Sequence, residues 1–294
     1  MKRITIRFLC IILTLSYITQ STFANESPSI AQLISKAEQG DIESQVDLGL
    51  NSCMGIGVKR DYKKAFKLLS AAAGKGHSDA QYNLGLLYFN GYGVKKNIAE
   101  AIKCYRMAAE QGNSLAQFNL GLCYDTGEGV QRNEVEAAKW YRMAAEKGNA
   151  NAQYNLAVCF DKGEGVAKNH VYAVQFYRKA AKQGYVMAQN NLGVCYVKGE
   201  GVLKNYAQAV KWFRKAADQG CDVAQYNLGM NYYKGDGVEK NAIEAYAYFK
   251  LAGITYKKAQ KRGDLLKKEM TKEQLEEAQL RAKELQALIE AKSK

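Results

Sequence analysis

The side chains able to do covalent or metal chemistry here are few: Cys10 near the start, then Cys53, Cys104, Cys123, Cys159, Cys195 and Cys221, and two histidines, His77 and His170. A thiolate or imidazole metal site needs closely spaced ligands, and neither CxxC nor HExxH occurs. A serine acyl-transfer site would use SxxK and KTG, and both are missing. Glycine pairs of the form GxGV recur, but they have no third glycine and follow helical patterns, so they fail the context of a nucleotide-binding turn. The expectation is a protein with no catalytic residue, no metal and no cofactor.

The elements that would have to position any site are set by a repeat. The block Ala80-Gln81-Tyr82-Asn83-Leu84-Gly85 returns at Ala116, Ala152, Ala188 and Ala224, with a weaker copy from Ser44. The same step carries the glycine pairs Gly55/Gly57, Gly91/Gly93, Gly127/Gly129, Gly163/Gly165, Gly199/Gly201 and Gly235/Gly237. Six units of 36 residues then fill 42–257. Within one unit, Ala80, Leu84 and Tyr88 make one helical stripe and Ala101, Tyr105 and Ala108 a second. Glycine at 91 and 93 ends the first helix, and Asp61, Asn97, Asn133, Asn169, Asn205 and Asn241 are placed to cap the second. Glu100, Glu136, Gln208 and Glu244 follow three residues later, as in a capping box. A single Pro in the whole chain disfavours turn-dense β and collagen-like alternatives.

Neither helix of a unit can hide its apolar face alone, so units must stack. Gly85, Gly121, Gly193 and Gly229, with Ala157 in the fourth unit, permit close approach, and Trp140, Phe176, Trp212 and Tyr248 supply volume from the second helices.

The pattern AQYNLG…Y..G.GV.KN..EA…YR.AAE.G closely resembles Sel1-like repeats, relatives of tetratricopeptide repeats. That resemblance implies an all-α fold, a right-handed α/α superhelical solenoid of six helix-turn-helix repeats with helical caps. It also implies a non-enzymatic protein-interaction scaffold, of the kind found in envelope signalling, host interaction or neutralisation of a secreted toxin. A cysteine-rich branch of similar repeats offers the alternative, a cell-wall-active or β-lactam-binding and hydrolysing enzyme. That branch pairs cysteines between the two helices of each unit, and no such regular pair exists here. Cys123, Cys159 and Cys195 instead occupy one site in successive units, about 8–10 Å apart on packed helices, beyond the roughly 7 Å limit for a bridge. No disulfide is expected, and the cysteines read as small packing residues.

The ends differ from the array. Residues 1–24 combine Lys2, Arg3 and Arg7, an apolar run from Phe8 to Ile18, and a small residue at Ala24, the form of a secretory signal too short to span a bilayer. Cleavage there lowers the net charge from +13 to +10 and places the protein in the periplasm or outside the cell, away from nucleic acid. Residues 25–41 read as a capping half-repeat, with Ile30 to Glu38 resembling the end of a second helix. Residues 258–294 read as capping helices, with Thr271 and Gln274 as a capping box and Leu275, Ala278, Ala282, Leu285 and Ile289 as one stripe. A covering helix on a monomer is preferred to a dimerising coiled coil, because the stripe lasts only about two heptads.

What remains is a surface. By the resemblance, the first helices line the concave side. Reading across units gives an aromatic row, Tyr82, Phe118, Tyr154 and Tyr226, broken at Asn190, beside an amide row, Asn83, Asn119, Asn155, Asn191 and Asn227. Lys162, Lys198 and Lys234 end the later first helices, where Asn90 and Thr126 stand earlier. These residues are the candidate contacts for a protein or peptide ligand of acidic character. Arg106, Arg142, Arg178 and Arg214 on the second helices, and Lys96, Arg132, Lys168, Lys204 and Lys240 in the loops, read as solvated faces.

Overall fold

A computed structural model describes residues 29–292, so the leader expected over 1–24 lies outside the described residues. Over that span there are fifteen helices and no strand. The chain forms two compact units that divide between Arg132 and Asn133. The first holds α1 (Ile30–Glu38), α2 (Ile42–Met54), α3 (Tyr62–Gly74), α4 (Ser78–Asn90), α5 (Ile98–Glu110) and α6 (Ser114–Thr126). The second holds α7 (Glu134–Glu146), α8 (Ala150–Lys162), α9 (His170–Lys182), α10 (Val186–Lys198), α11 (Tyr206–Ala217), α12 (Asp222–Lys234), α13 (Ala242–Ala252), α14 (Lys257–Lys267) and α15 (Lys272–Lys292).

Local chemistry explains the element boundaries. Asp61, Asn97, Asn133, Asn169, Asn205 and Asn241 each cap a second helix by accepting a first-turn N–H, as their side chains predict. The reciprocal half of the capping box is seen at none of the four positions expected to have it, Glu100, Glu136, Gln208 and Glu244. Glu100 and Glu136 turn to Lys103 and Lys139 at 2.8 and 3.7 Å, and Glu244 turns to Arg281 at 2.7 Å. A lysine one turn along, or an arginine from another helix, outcompetes a single backbone N–H. The full box does form at Thr271 and Gln274 and at Ser29 and Gln32. First helices end on a left-handed residue, as at Gly91, φ 75°, where only glycine escapes the Cβ clash.

The stripes become the core. Ala80, Ala101, Ala108, Ala116, Ala152 and Ala188 are fully buried, and the largest fully buried side chains are Tyr105, Tyr141, Tyr177, Phe213 and Phe249. These aromatics, one residue after the Trp140-type position, fill the space that the small residues open. A Cβ on Gly85 would lie 2.7 Å from the Tyr105 ring, on Gly193 2.6 Å from Phe213, and on Gly229 2.8 Å from Phe249. In the second unit α15 packs on α13, and Ala282 and Leu285 join Ala216, Ala217, Tyr248 and Leu251 in one cluster. The apolar stripe of α15 is therefore used inside the chain.

Candidate partner-binding face

In the second unit α8, α10 and α12 present matching ladders along one face, residues i, i+4 and i+8: Tyr154, Val158, Lys162; Asn190, Val194, Lys198; Tyr226, Met230, Lys234. The three lysines are exposed, the middle rungs are half-buried, and Asn190 is 4% exposed. The middle rungs were readable as another position of the same helical face, since valine and methionine recur there at the repeat spacing.

The aromatic row is only partly available. Tyr154 lies 4.9 Å from Tyr185 and 6.0 Å from Tyr177, ring to ring, and burial pushes its phenol pKa up. Tyr226 packs on Phe249 and Tyr256 and carries Lys258 over its ring at 5.1 Å. Two members of the amide row, Asn191 and Asn227, are linked to one another through Asn190. Asn227 donates to Asn190 at 2.9 Å, Asn190 to Asn191 at 3.2 Å, and Asn191 to the Tyr177 hydroxyl at 3.3 Å. Asn190, which interrupts the aromatic row, is the hub of this network. Asn155 is half-buried on α8.

In the first unit the candidate residues are also partly occupied, but within their own surroundings. Tyr82 is 9% exposed and packs on Tyr105, and Asn83 donates to the Asp79 carbonyl at 2.8 Å. Phe118 and Asn119 are half-buried on α6.

The lysine edge is mixed in charge. Lys162 pairs with Glu164 at 3.6 Å and Lys198 with Glu200 at 3.3 Å, each acid standing inside the following glycine loop. Lys234 has Asp236 at the corresponding loop position. Such exposed pairs are worth about 0–1 kcal/mol, so a carboxylate from a partner can exchange with the one already present.

A second repeated polar system is buried within each unit. Gln45, Gln81 and Gln117 in the first unit, and Gln153, Gln189 and Gln225 in the second, are buried. Each donates to the carbonyl of an alanine eight residues earlier, at 3.0–3.4 Å. Where a glutamine closes the next second helix, it completes the acceptor side: Gln111 donates to Gln81, Gln183 to Gln153 and Gln219 to Gln189, at 2.7–2.8 Å. Gln45 has lysine thirty residues on; Lys75 donates to the Gly40 carbonyl instead, and the Gln45 Oε1 atom is buried without a partner.

No disulfide joins the six cysteines among the described residues, and Cys104, Cys123, Cys159 and Cys195 are buried. Burial pushes Cys53 and Cys104 up to about 11 and Cys195 up to about 12, so they are poor nucleophiles at neutral pH.

The Sel1 repeat profile matches residues 42–77, 78–113, 114–149, 150–185, 186–221 and 222–253. The chain belongs to the Sel1 repeat family. A crystal structure of a Sel1 repeat protein from Oxalobacter formigenes is 34% identical with a TM-score of 0.67, over 76% of this chain and 89% of that one. The structure of c5321, a protective antigen present in uropathogenic Escherichia coli strains displaying an SLR fold, is 33% identical with a TM-score of 0.60 over 87% of this chain. The match spans 63% of the E. coli chain. Comparison with curated proteins gave no match.

The arginine row proves to be part of how successive Sel1 repeats join. Arg106 donates to the Tyr124 hydroxyl at 2.9 Å, Arg178 to Tyr196 at 3.2 Å, and Arg214 to Tyr232. Arg142 lies over the Phe160 ring at 5.5 Å. Each second-helix arginine meets an aromatic eighteen residues on, a constant offset that was present in the sequence although the row reads there as solvated.

Proposed function

We propose that this Sel1 repeat protein is an exported, non-catalytic scaffold that binds an acidic protein or peptide segment along the ladder face of α8, α10 and α12. The observation that carries this reading is the alignment of three half-buried apolar rungs, Val158, Val194 and Met230, with three exposed lysines on the same helix faces. An acidic segment with apolar side chains would place carboxylates at the lysines and its apolar groups on those rungs; charge would govern encounter and the rungs would supply buried area. Export rests on the leader-like residues 1–24 and is the reading that makes a periplasmic or secreted partner the relevant one. No helix among the described residues is long and apolar enough to cross a membrane. With no disulfide among the six cysteines of the described residues, the cysteine-bridged enzyme alternative gains no support.

The test is capture from envelope or culture-supernatant fractions with the purified protein as bait. Lys198→Glu with Lys234→Glu should reduce capture and make the residual binding insensitive to salt. Lys182→Glu with Lys211→Glu, on exposed second-helix positions, should leave it unchanged. The reverse ranking would place the partner on the second helices. Turnover of nitrocefin above a heat-treated control would defeat the non-catalytic reading.

A further inference from the structure

The loop that joins the two helices of one repeat rests on the repeat before it and makes a fixed meeting point for three side chains, and at one such point these are an imidazole and two carboxylates. Gly201, φ 72°, rests on the backbone of His170, so closely that a Cβ there would run into the His170 carbonyl. Its neighbour Glu200 is thereby held beside the first residue of α9. Asp161, in the last turn of α8, reaches the same point: its Oδ1 is 2.9 Å from His170 Nδ1. One ligand atom each from Asp161, His170 and Glu200 lie within 4.8 Å of one another.

We propose that Asp161, His170 and Glu200 bind a divalent first-row transition ion of the zinc class. One imidazole and two carboxylates are a nitrogen and oxygen set suited to zinc, cobalt or manganese, whereas an imidazole is a poor choice for calcium or magnesium. With bonds of about 2.0–2.2 Å, neighbouring ligands of a tetrahedral ion stand roughly 3.3 Å apart. Asp161 and His170 stand 2.9 Å apart and Glu200 lies within 4.8 Å of both, so a small movement of its flexible side chain reaches that spacing. The three side chains are 31–38% exposed, so an ion can enter from solvent and keep water in its open positions.

The site is particular to this joint. The same backbone contact sets Gly93 on Tyr62 and Gly237 on Tyr206, but the side chains brought together there are different. Tyr62 and Tyr92 stack at 4.8 Å between ring centroids, and the trio equivalent to Asp161, His170 and Glu200 one repeat later is Val197, Tyr206 and Asp236. The repeat geometry therefore supplies the cradle, and among the described residues Asp161, His170 and Glu200 are the group whose ligand atoms come together. Lys198, 3.3 Å from Glu200 Oε2, is the cation that competes for the carboxylate.

Calorimetric titration of the tag-free full chain with Zn2+, and absorption spectra with Co2+, test the site. One equivalent should bind, with nitrogen and oxygen ligation and no thiolate charge-transfer band. His170→Tyr, which installs the residue found at 62 and 206, and Glu200→Gln should each weaken binding at least tenfold. Lys198→Met should tighten it, and because this lysine is exposed its removal leaves the fold intact if the ligand variants do not. Absence of one-equivalent binding, a cobalt–thiolate spectrum, or unchanged affinity in Glu200→Gln and Lys198→Met would overturn the proposal. None of these readouts depends on partner capture, so the site and the ladder face stand or fall separately.

Discussion

Arg178 reaches from α9 to the Tyr196 hydroxyl on α10, one repeat further on, and donates to it at 3.2 Å. With Arg106–Tyr124 in the first unit and Arg214–Tyr232 in the second, the same bond recurs at the same offset. Arg178→Ala should lower unfolding free energy by about 1–2 kcal/mol, the loss of a charge-assisted bond plus stem packing at a half-exposed site. Tyr196→Phe should cost about as much as the bond alone. Chemical denaturation of the two single variants and the double variant would give the coupling between them; strict additivity would show that the pair is decorative.

Lys75 offers a gain in stability. Gln183 donates both to the Gly148 carbonyl at 2.9 Å and to Gln153 Oε1 at 2.8 Å, whereas Lys75 makes only the first of these bonds and leaves Gln45 Oε1 buried and unsatisfied. Lys75→Gln should satisfy both acceptors and stabilise the chain by about 1 kcal/mol. A rise in denaturation midpoint with unchanged slope is the expected result.

Gly93 should be intolerant of any side chain. Its φ of 70° disfavours L-residues, and a Cβ would strike the Tyr62 carbonyl. Gly93→Ala should cost about 2–4 kcal/mol, combining left-handed strain with overpacking. Gly76→Ala is the control: its φ of 92° is equally unfavourable, yet nothing lies within 4 Å of the added carbon, so the difference between the two variants isolates the contact.

The thiols predict an alkaline limit. Burial raises Cys53 and Cys104 from 9.0 to about 11 and Cys195 to about 12. The folded chain keeps these protons where the unfolded chain releases them, so the stabilisation is complete below pH 9 and is lost as pH climbs through 11 and toward 12. Denaturation midpoints should fall over that window. At pH 8 a disulfide reagent should label the native chain slowly, the half-buried Cys53 and Cys221 first, and all six described thiols quickly in denaturant.

The repeat unit itself was legible because its signals are local. Asn97 caps the second helix from one residue away, Gly91 closes the first, and Ala80, Ala101 and Tyr105 mark buried stripes by helical spacing. What the sequence concealed depends on contacts between elements. Asp161, His170 and Glu200 stand nine and thirty residues apart and match no linear metal motif; their meeting follows from the glycine contact with His170. Asn190 reads as a gap in an aromatic row, yet its short amide links Asn191 and Asn227, a role visible only once neighbouring helices are side by side. Gly85 meets Tyr105 and not the side chain at 104, because the second helix is turned by one residue relative to the position the aromatic spacing suggests.

The glycine seats also govern how such a chain can change length. Gly93 sits on Tyr62, Gly165 on Glu134, Gly201 on His170 and Gly237 on Tyr206. Adding or removing one residue between a seat and its glycine would swing a bulkier neighbour into the carbonyl and rotate the following helix off its partner. Duplication or loss of a whole 36-residue copy leaves every seat matched. The geometry therefore favours change in length by whole copies over small insertions at these loops.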